Sequence, residues 1–585
     1  MSITWQKSGG SSVFIRLFLS VSLFMTVACG TATSPTPAAG PTTAPPSAQT
    51  PTSGQAAAAP TAAAAPTMVP QSTVNPGKVT MMVADWGTQA FEPRDATGQI
   101  MTQHRMLHGW LIAGNENSQM IPGIAEKWEL SPDGLQWTWT IREGLKFQNG
   151  DPLTIEDVLF TLNRAHGPEA IEQAIHTIFI QQAKSTVSQV MTGPNTIVVT
   201  QKEPNATYPF LMSELHSSDA HGAVLPQKYW EQVGGKEGYE ANPVGAGPFK
   251  VVDFRPSEQI LLERFDDYYF TRENGFPEDR RMQFETMDER LVPEESTRVS
   301  ALRAGQADLV ETSLNSRNQI QASGGHLIFI PEASYSQVRP MGCWKPELPC
   351  HDKRVRYALD YAINKEQIRD RLYGGTEVAE VLGFEAITPN ALGYSHDLDA
   401  LPYDPEKAQQ LLAEAGYPGG QGFPPFKIHT WNGGDVPLQP EQAELIADMW
   451  KDNLGLEVEV VVGDTVSIRQ QALDRQLDGD VYFRSNEARF DGGSLLRSAT
   501  DPANGNRMSE DPALYAAAIE ALSVLDPAKR QDAYNRALRT IWEEHYYWST
   551  VYVNLPWGAS KRIATWDPWP LGPYASALWT LTLTN

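Results

Sequence analysis

The chain has 585 residues, of which 41% are hydrophobic, and its formal net charge is −24 at pH 7. This length and composition predict a large soluble protein that buries its apolar side chains in two or three lobes. The acidic balance excludes the basic surface on which nucleic-acid binding depends, so no nucleic-acid partner is expected.

Residues 1–28 predict a cleaved signal peptide. Lys7 and Arg16 supply positive charge, and residues 17–28 form a mostly apolar stretch that ends in Ala28. That stretch is too short to span a bilayer of ~30 Å, for which a helix needs about 20 residues. Export from the cytoplasm is therefore expected.

Cys29 and residues 29–77 predict a membrane leash. Following Ala28, Cys29 resembles the lipidated cysteine of bacterial lipoproteins, although an ordinary secretory signal with an incidental cysteine stays open. Residues 31–77 contain no Asp, Glu, Lys or Arg and consist largely of Ala, Pro, Thr, Ser and Gly. Such a segment cannot offset the entropy of ordering, so residues 29–77 are interpreted as a lipidated cysteine and a disordered tether.

Strand and helix patterns begin after the tether. Residues 77–86 are typical of a first strand, and residues 133–154 predict a hairpin whose buried face carries alternating aromatic side chains. Thr154 and Asp157 then favour the start of a helix. Helices with a similar apolar stripe are predicted over 352–375 and 403–420, and helix–strand alternation follows at 443–463, which together indicate mixed α/β lobes.

Two pairs of residues bear on whether the protein has a disulfide or a metal site. Cys343 and Cys350 predict a disulfide in an oxidising compartment, with two free buried thiols as the alternative; only His351 lies close in sequence, so no metal site is expected there. His104 and His108 lie four residues apart on a predicted helix, a spacing that suits a metal, but a pair on the helix surface is the preferred interpretation. The sequence lacks the common hydrolase, phosphate-binding and zinc-protease motifs, so neither an enzyme nor a cofactor is expected.

Five ordered segments resemble one protein family. The chain resembles the extracellular solute-binding proteins of ABC transporters, family 5, which serve oligopeptides, dipeptides and nickel. The most specific segment, 124–165, includes Trp128, Asp133, Gly134 and Arg142 of the family pattern. The segments that carry the resemblance are 124–165, 242–269, 297–310, 352–368 and 403–420.

The resemblance implies a two-lobed α/β fold of the periplasmic-binding-protein type, type II and of the large cluster C form. Ligand would lie between the lobes, which close over it as hinged bodies. The implied first lobe comprises residues 78–122, 243–332 and 553–585, with an extra subdomain at 123–242. The implied second lobe comprises residues 333–552.

The resemblance also points to residues 481–496 as part of the ligand site. Peptide binders of the family carry an aspartate there that pairs with the α-amine of the peptide, and Asn486 stands at that position in this chain. A neutral amide gives up the charge-assisted bond. Arg484, Glu487 and Asp491 are candidates beside it, and the alternative is that these are solvated loop charges.

Aromatic residues near strand ends complete the candidate ligand site. Flat rings offer a large contact area and lose little conformational entropy on binding, although any one of the 16 tryptophans can simply be core. The aromatic candidates are Trp86, Tyr335, Trp344, Phe384 and Trp431.

The expected function is that of a monomeric, lipid-anchored receptor on the outer face of the cell membrane, periplasmic or cell-surface. It would pass a small-molecule solute, first of all a peptide, to an ABC permease and its ATPase subunits. An oligosaccharide, an opine-like compound or a metal chelate is the alternative ligand within this class. A secreted hydrolase is the alternative from another class, and it would need a nucleophile–base pair that the sequence does not single out.

Overall fold

A computed structural model describes residues 77–174, 177–216, 219–381, 387–395, 397–432, 436–487, 489–500 and 509–584. The predictions for the signal peptide, Cys29 and the tether up to residue 76 lie outside these ranges. Within them, no helix combines the length and apolar character needed to cross a membrane.

The strands and helices are numbered in chain order. The strands are β1 Lys78–Val83, β2 Ile112–Gly114, β3 Met120–Pro122, β4 Ala125–Leu130, β5 Gln136–Ile141, β6 Thr186–Met191, β7 Thr196–Gln201, β8 Phe249–Arg255, β9 Gln259–Arg264, β10 Thr286–Leu291, β11 Leu309–Glu311, β12 His326–Pro340, β13 Ala379–Glu380, β14 Ile387–Leu392, β15 Phe426–Trp431, β16 Val458–Gly463, β17 Val481–Glu487, β18 Arg489–Asp491, β19 Trp548–Ala559, β20 Ile563–Thr565 and β21 Thr582–Leu583. The α-helices are α1 Met101–Leu107, α2 Ile155–His166, α3 Pro168–Gln173, α4 Thr177–Ser185, α5 Tyr208–Leu211, α6 Gln227–Gln232, α7 Lys236–Ala241, α8 Glu295–Arg303, α9 Arg317–Ala322, α10 Lys353–Tyr361, α11 Lys365–Ile368, α12 Pro405–Glu414, α13 Gln439–Leu454, α14 Thr465–Leu473, α15 Gly492–Thr500, α16 Pro512–Leu522 and α17 Pro527–Glu544.

One mixed sheet runs through the described part of the chain. Its strand order is β16-β15-β17-β12-β19-β11-β1-β10-β9-β8, and β13 pairs with β19. β15 runs parallel to β16 and β17, and β1 runs parallel to β10 and β11. β12 and β19, the two crossing strands, are antiparallel to each other and connect these two halves of the sheet.

Each half of the sheet has a core of its own. Val79, Met81 and Met287 are fully buried in the core around β1 and β10. Phe483 and Trp450 are fully buried in the other core, where α13 packs near β17. The amphipathic patterns of the sequence thus fold into two cores that share one sheet, since apolar side chains are removed from water on either side of the crossing strands.

A separate four-stranded sheet, in the order β4-β5-β7-β6, contains the predicted aromatic strand. Trp137, Trp139 and Ile141 of β5 are buried, as their alternation predicts. The hairpin predicted over residues 133–154 was wrong. β5 pairs with β4 and β7, and the segment that follows it within this range forms only the single bridge between Lys146 and Pro152.

Polar side chains cap the N-termini of two predicted helices. The carboxylate of Asp157 accepts hydrogen bonds from the amide and hydroxyl of Thr154 at 2.8 and 3.0 Å, at the start of α2. Asp404 accepts the amide of Lys407 at 2.9 Å at the start of α12. These caps satisfy donors that a helix leaves unpaired in its first turn and so confirm both predicted starts.

Candidate ligand site

The crossing strands pair with each other on both sides of an irregularity, and β12 has a second partner beyond it. Residues 326–330 of β12 pair with residues 555–559 of β19. Residues 334–338 pair with residues 548–553 of β19, and residues 334–340 also pair with β17. The regular register breaks between Ile330 and Ser334, where Glu332 takes a left-handed backbone conformation with φ of 46°. The amide of Glu332 donates to Oδ1 of Asn554 on β19 at 2.9 Å, so the irregularity is held by a side chain of the other crossing strand.

Polar and aromatic side chains share one face of β12 and β17. The register places Tyr335 opposite Asn486, Gln337 opposite Arg484, and Arg339 opposite Tyr482. Because side chains alternate between the faces of a strand, and directly opposite residues share a face, these six form one surface.

The crossing-strand polar cluster consists of Gln337, Arg339, Arg484 and Asn486. Arg484 donates through Nη2 to Oδ1 of Asn486, and Asn486 donates through Nδ2 to Oε1 of Gln337 at 3.3 Å. Arg339 donates through Nη2 to the same Gln337 oxygen at 2.6 Å. Gln337 is fully buried and Asn486 is 8% exposed, whereas Arg484 stays partly exposed.

Aromatic rings adjoin the crossing-strand polar cluster. The guanidinium carbons of Arg339 and Arg484 lie 5.9 and 5.7 Å from the centre of the Tyr482 ring. That ring lies 5.9 Å from Trp431, and Tyr335 lies 5.4 Å from Tyr552. Guanidinium groups over rings, next to amide groups, bind polar solutes by hydrogen bonds and stacking.

The structure brings together four of the predicted site residues. Tyr335, Arg484 and Asn486 lie on the face just described, and Trp431 joins it through Tyr482. Trp431 is only 2% exposed and packs with Ile468 of α14, so its ring is mostly core.

The other predicted site residues lie apart or cannot be placed. Trp344 follows β12 and lies 4.8 Å beneath the guanidinium of Arg475, away from the cluster's hydrogen bonds. Glu487 ends β17 with its backbone opposite Ser334, and Asp491 ends β18. Phe384 lies outside the described residues.

Trp86 belongs to the core of the other half of the sheet. Its side chain is fully buried, and its Nε1 donates to Oε1 of Glu289 at 2.7 Å. Gln103 donates to the same oxygen. Burial raises the pKa of Glu289 to about 8, against the lowering effect of the Trp86 and Gln103 hydrogen bonds.

Sequence reasoning missed Gln337, Arg339 and Tyr482. Gln337 and Arg339 follow Tyr335 at two-residue intervals, the spacing that keeps side chains on one face of a strand. This two-residue spacing could have indicated that Gln337 and Arg339 share a face with Tyr335. The neighbouring strand β17 lies far away in sequence, as the hydrogen bond between Asn486 and Gln337, 149 residues apart, illustrates. The partner strand therefore could not be read from local sequence.

The cysteine and histidine pairs have defined surroundings. Cys343 and Cys350 form a disulfide with their Cα atoms 5.0 Å apart, in the loop that follows β12. The expected surface position of His104 and His108 was wrong: both rings are buried and stacked, with centres 5.1 Å apart, because the helix packs against residues 90 and 91. In the described ranges, no group of three or more His, Cys, Asp or Glu side chains is arranged to hold a metal ion.

Much of the chain is similar in sequence to known proteins. The family described as bacterial extracellular solute-binding proteins, family 5 Middle, matches residues 119–504. Heme-binding protein A of Haemophilus influenzae is 27% identical over 390 residues, which cover 63% of this chain and 66% of that protein. The dipeptide-binding protein of Escherichia coli is 28% identical over 381 residues, which cover 61% of this chain and 66% of that protein. Either match spans just under two thirds of the relative.

The fold also matches solved structures. The structure of HbpA2 from Haemophilus parasuis superimposes with a TM-score of 0.71 at 20% sequence identity, covering 87% of this chain and all of that one (100%). The predicted fold class, a two-lobed α/β fold of the periplasmic-binding-protein type, is therefore confirmed.

Proposed function

The chain belongs to the bacterial extracellular solute-binding proteins of family 5, and from this we propose that it is the solute receptor of an ABC importer, with peptides as its first ligand class. The observation that carries the proposal is the family match over residues 119–504. Receptor and solute would meet between two lobes, and the closed complex would deliver the solute to a permease driven by ATPase subunits.

The crossing-strand polar cluster supports a ligand site in this region. Gln337 and Arg339 lie on a strand that joins the two halves of the sheet, and Arg484 and Asn486 lie on its neighbour β17. A buried polar group is costly unless it is hydrogen-bonded, so a cluster of this kind is kept where it serves specificity or recognition.

The proposed lobe boundaries agree with the irregularity in β12. The first lobe comprises residues 78–122, 243–332 and 553–585, with the subdomain at 123–242, and the second lobe comprises residues 333–552. The break between Ile330 and Ser334 falls where the first lobe would give way to the second. A short irregular segment in a crossing strand is a suitable hinge, because a few residues can absorb the change in backbone angles.

Isothermal titration calorimetry against pools of di-, tri- and tetrapeptides tests the peptide assignment. We expect heat of binding with at least one pool, and we expect mass spectrometry of the purified protein to find the same class of solute bound. A protein that binds no pool, and that copurifies with a solute of another class, would contradict peptides while leaving the receptor class in place.

An opine-like compound is the second candidate ligand. Opines combine an amino acid with further carboxylate groups, and the neutral Asn486 next to Arg484 suits such an acidic solute better than an ammonium group. The burial of Tyr335 and Trp431 gives less support to an oligosaccharide, which stacks on exposed ring faces.

We also propose that Cys29 carries the lipid that holds the receptor at the outer face of the membrane, where it would act as a monomer. Fractionation of cells that express Cys29→Ala tests the anchor: the variant should move from the membrane to the soluble fraction, and Ser34→Ala in the same segment should not. Membrane retention of Cys29→Ala would contradict lipidation at this residue.

A further inference from the structure

The charge of the crossing-strand polar cluster is opposite to that of an ammonium-binding site. The side chain of Asn486 is uncharged, and its Oδ1 already accepts a hydrogen bond from the positively charged Arg484. An ammonium group brought to Asn486 would therefore meet a guanidinium nearby. Two like charges so close to each other repel, and the repulsion is stronger near a protein surface than in bulk water.

Arg484 contacts uncharged groups. Nη2 donates to Oδ1 of Asn486, Nε donates to the carbonyl of Ser485 at 3.3 Å, and the guanidinium carbon lies 5.7 Å from the Tyr482 ring. Among the side chains that the structure describes, no carboxylate forms an ion pair with Arg484. Its positive charge is thus surrounded by amide, carbonyl and aromatic groups, and its side chain remains partly exposed to solvent.

A second guanidinium lies on the same face. Arg339 is 3% exposed, and its Nη2 donates to the Gln337 oxygen that also accepts from Asn486. Both guanidinium groups lie within 6 Å of the Tyr482 ring, so the two cations flank one aromatic residue.

We infer that this cluster is a subsite for a carboxylate of the ligand, held by Arg484 and oriented by Asn486 and Gln337, and that it does not receive a ligand ammonium group. The inference rests on the proposed receptor function. Arg presents parallel N–H donors that match the two oxygens of a carboxylate, and such charge-assisted bonds are roughly twice as strong as neutral ones. The ligand is thus a small acidic solute whose carboxylate lies over β17.

Three matched peptides test the inference by calorimetry. N-acetyl-trialanine has a free carboxylate, trialanine amide has a free ammonium group, and N-acetyl-trialanine amide has neither. We expect N-acetyl-trialanine to bind at least tenfold more tightly than the other two. Tighter binding of trialanine amide would overturn the inference and leave the receptor function intact.

Substitutions assign the preference to Arg484. In Arg484→Gln the advantage of the acid over the amide should fall about tenfold or more, and Arg484→Lys should restore part of it. Arg469→Gln is the matched control, because Arg469 is exposed on α14 beside Trp431 and outside the cluster. An acid preference that survives in Arg484→Gln would overturn the inference. Melting temperatures of all variants show whether each one folds.

A non-peptide acid separates this inference from the peptide assignment. N-(1-carboxyethyl)arginine and its dimethyl ester are compared in the same proteins. Suppose that none of the peptides binds, that the acid binds more tightly than the ester, and that Arg484→Gln loses this preference. This result supports the carboxylate subsite and contradicts peptides as the ligand class. Equal binding of acid and ester overturns the subsite alone. Failure of every probe, peptide and non-peptide, contradicts both proposals.

Discussion

The buried histidines make the stability of the fold depend on pH. Burial lowers the pKa of His108 to about 4, and burial together with the neighbouring His108 charge lowers the pKa of His104 well below its usual value. The unfolded chain takes up these protons near pH 6.5, so acid favours unfolding between pH 6.5 and about 4.

We expect the free energy of unfolding to fall by about 3 kcal/mol for His108 alone as the pH drops through that window. Urea denaturation at pH 7 and pH 4.5 measures it. His108→Gln should flatten this part of the pH dependence, and the control His326→Gln should not. An unchanged slope in His108→Gln would rule out this explanation.

Glu289 produces the opposite pH dependence. Its pKa is about 8 in the fold because the side chain is buried, whereas the unfolded carboxyl titrates near 4.5. The folded form keeps its proton in that window, so its contribution to stability is present below pH 4.5 and is lost as the pH rises through about 8. The loss is on the order of 4 kcal/mol.

Glu289→Gln should therefore be similar to the natural chain at low pH and more stable than it at pH 8.5. Denaturation curves at pH 5 and pH 8.5 give the comparison. Glu263→Gln, on the neighbouring strand β9 and exposed, serves as the control. A parallel decline in both proteins would show that Glu289 is not the group responsible.

At the residue scale, the sequence indicated which residue types suit a ligand site, but it did not indicate which of these residues are buried. Asn486 could be singled out because its type departs from the pattern of the family that the chain resembles, and Arg484 because it lies next to Asn486 on the same strand face. Trp86 and Trp431 fit the same aromatic criterion yet are buried, since burial depends on strands that approach from distant parts of the chain. All nine predicted ligand contacts, including Phe384, Glu487 and Asp491, stay predictions.

At the element scale, local signals located strands and helices well. Asp404 and Pro405 begin α12 as their positions predict, because capping needs only neighbouring residues. The partner of β5 was predicted wrongly, because strand pairing is decided by the packing of aromatic faces and not by the nearest turn. The extent of β12 could not be predicted either, since both of its neighbours, β17 and β19, lie more than 140 residues further along the chain.

The disulfide loop is the element for which we expect a clear stability effect. Cys343 and Cys350 are 7 residues apart, and closing so small a loop restricts the unfolded chain by about 2 kcal/mol. The double variant Cys343→Ser, Cys350→Ser should lose about that much. Reducing agent should lower the melting temperature of the natural chain and leave that of the double variant unchanged; equal sensitivity of both would contradict a stabilising disulfide.

At the scale of the whole molecule, the hinge proposed at Glu332 depends on Asn554. Burial and the nearby charge of Glu380 raise the pKa of the Glu332 carboxyl, because both disfavour its charged form. Asn554 accepts the Glu332 amide, donates through Nδ2 to the carbonyl of Glu377 at 3.0 Å, and donates its own amide to Val378 at 2.7 Å. Asn554 thus links its own strand β19 to β12 and to residues 377–378, at the point where the halves of the sheet join.

Asn554→Ala should lower the free energy of unfolding by about 1–3 kcal/mol, because it leaves the Glu332 amide without its acceptor. Ligand dissociation, measured by stopped flow, should also become faster, since the closed state loses a defined hinge geometry. Asn117→Ala on an exposed turn is the control. A loss of stability without any change in dissociation would separate Asn554 from lobe closure.

The overall architecture could be predicted only through the family resemblance. Composition and length indicated two or three lobes, but nothing in the periodicity of the sequence indicates that residues 78–83 and residues 309–311 pair in one sheet. Such pairings join segments that are hundreds of residues apart, and they depend on the whole chain having collapsed.

The position of β19 sets the order in which this chain can fold. β19 spans residues 548–559 near the end of the sequence, yet it lies in the middle of the sheet between β12 and β11. Until those residues leave the ribosome, β11 and β12 lack their shared neighbour and expose unpaired edges. Completion of the large sheet is therefore a late event in synthesis, whereas the four-stranded sheet of β4 to β7 is made of residues that are synthesised much earlier.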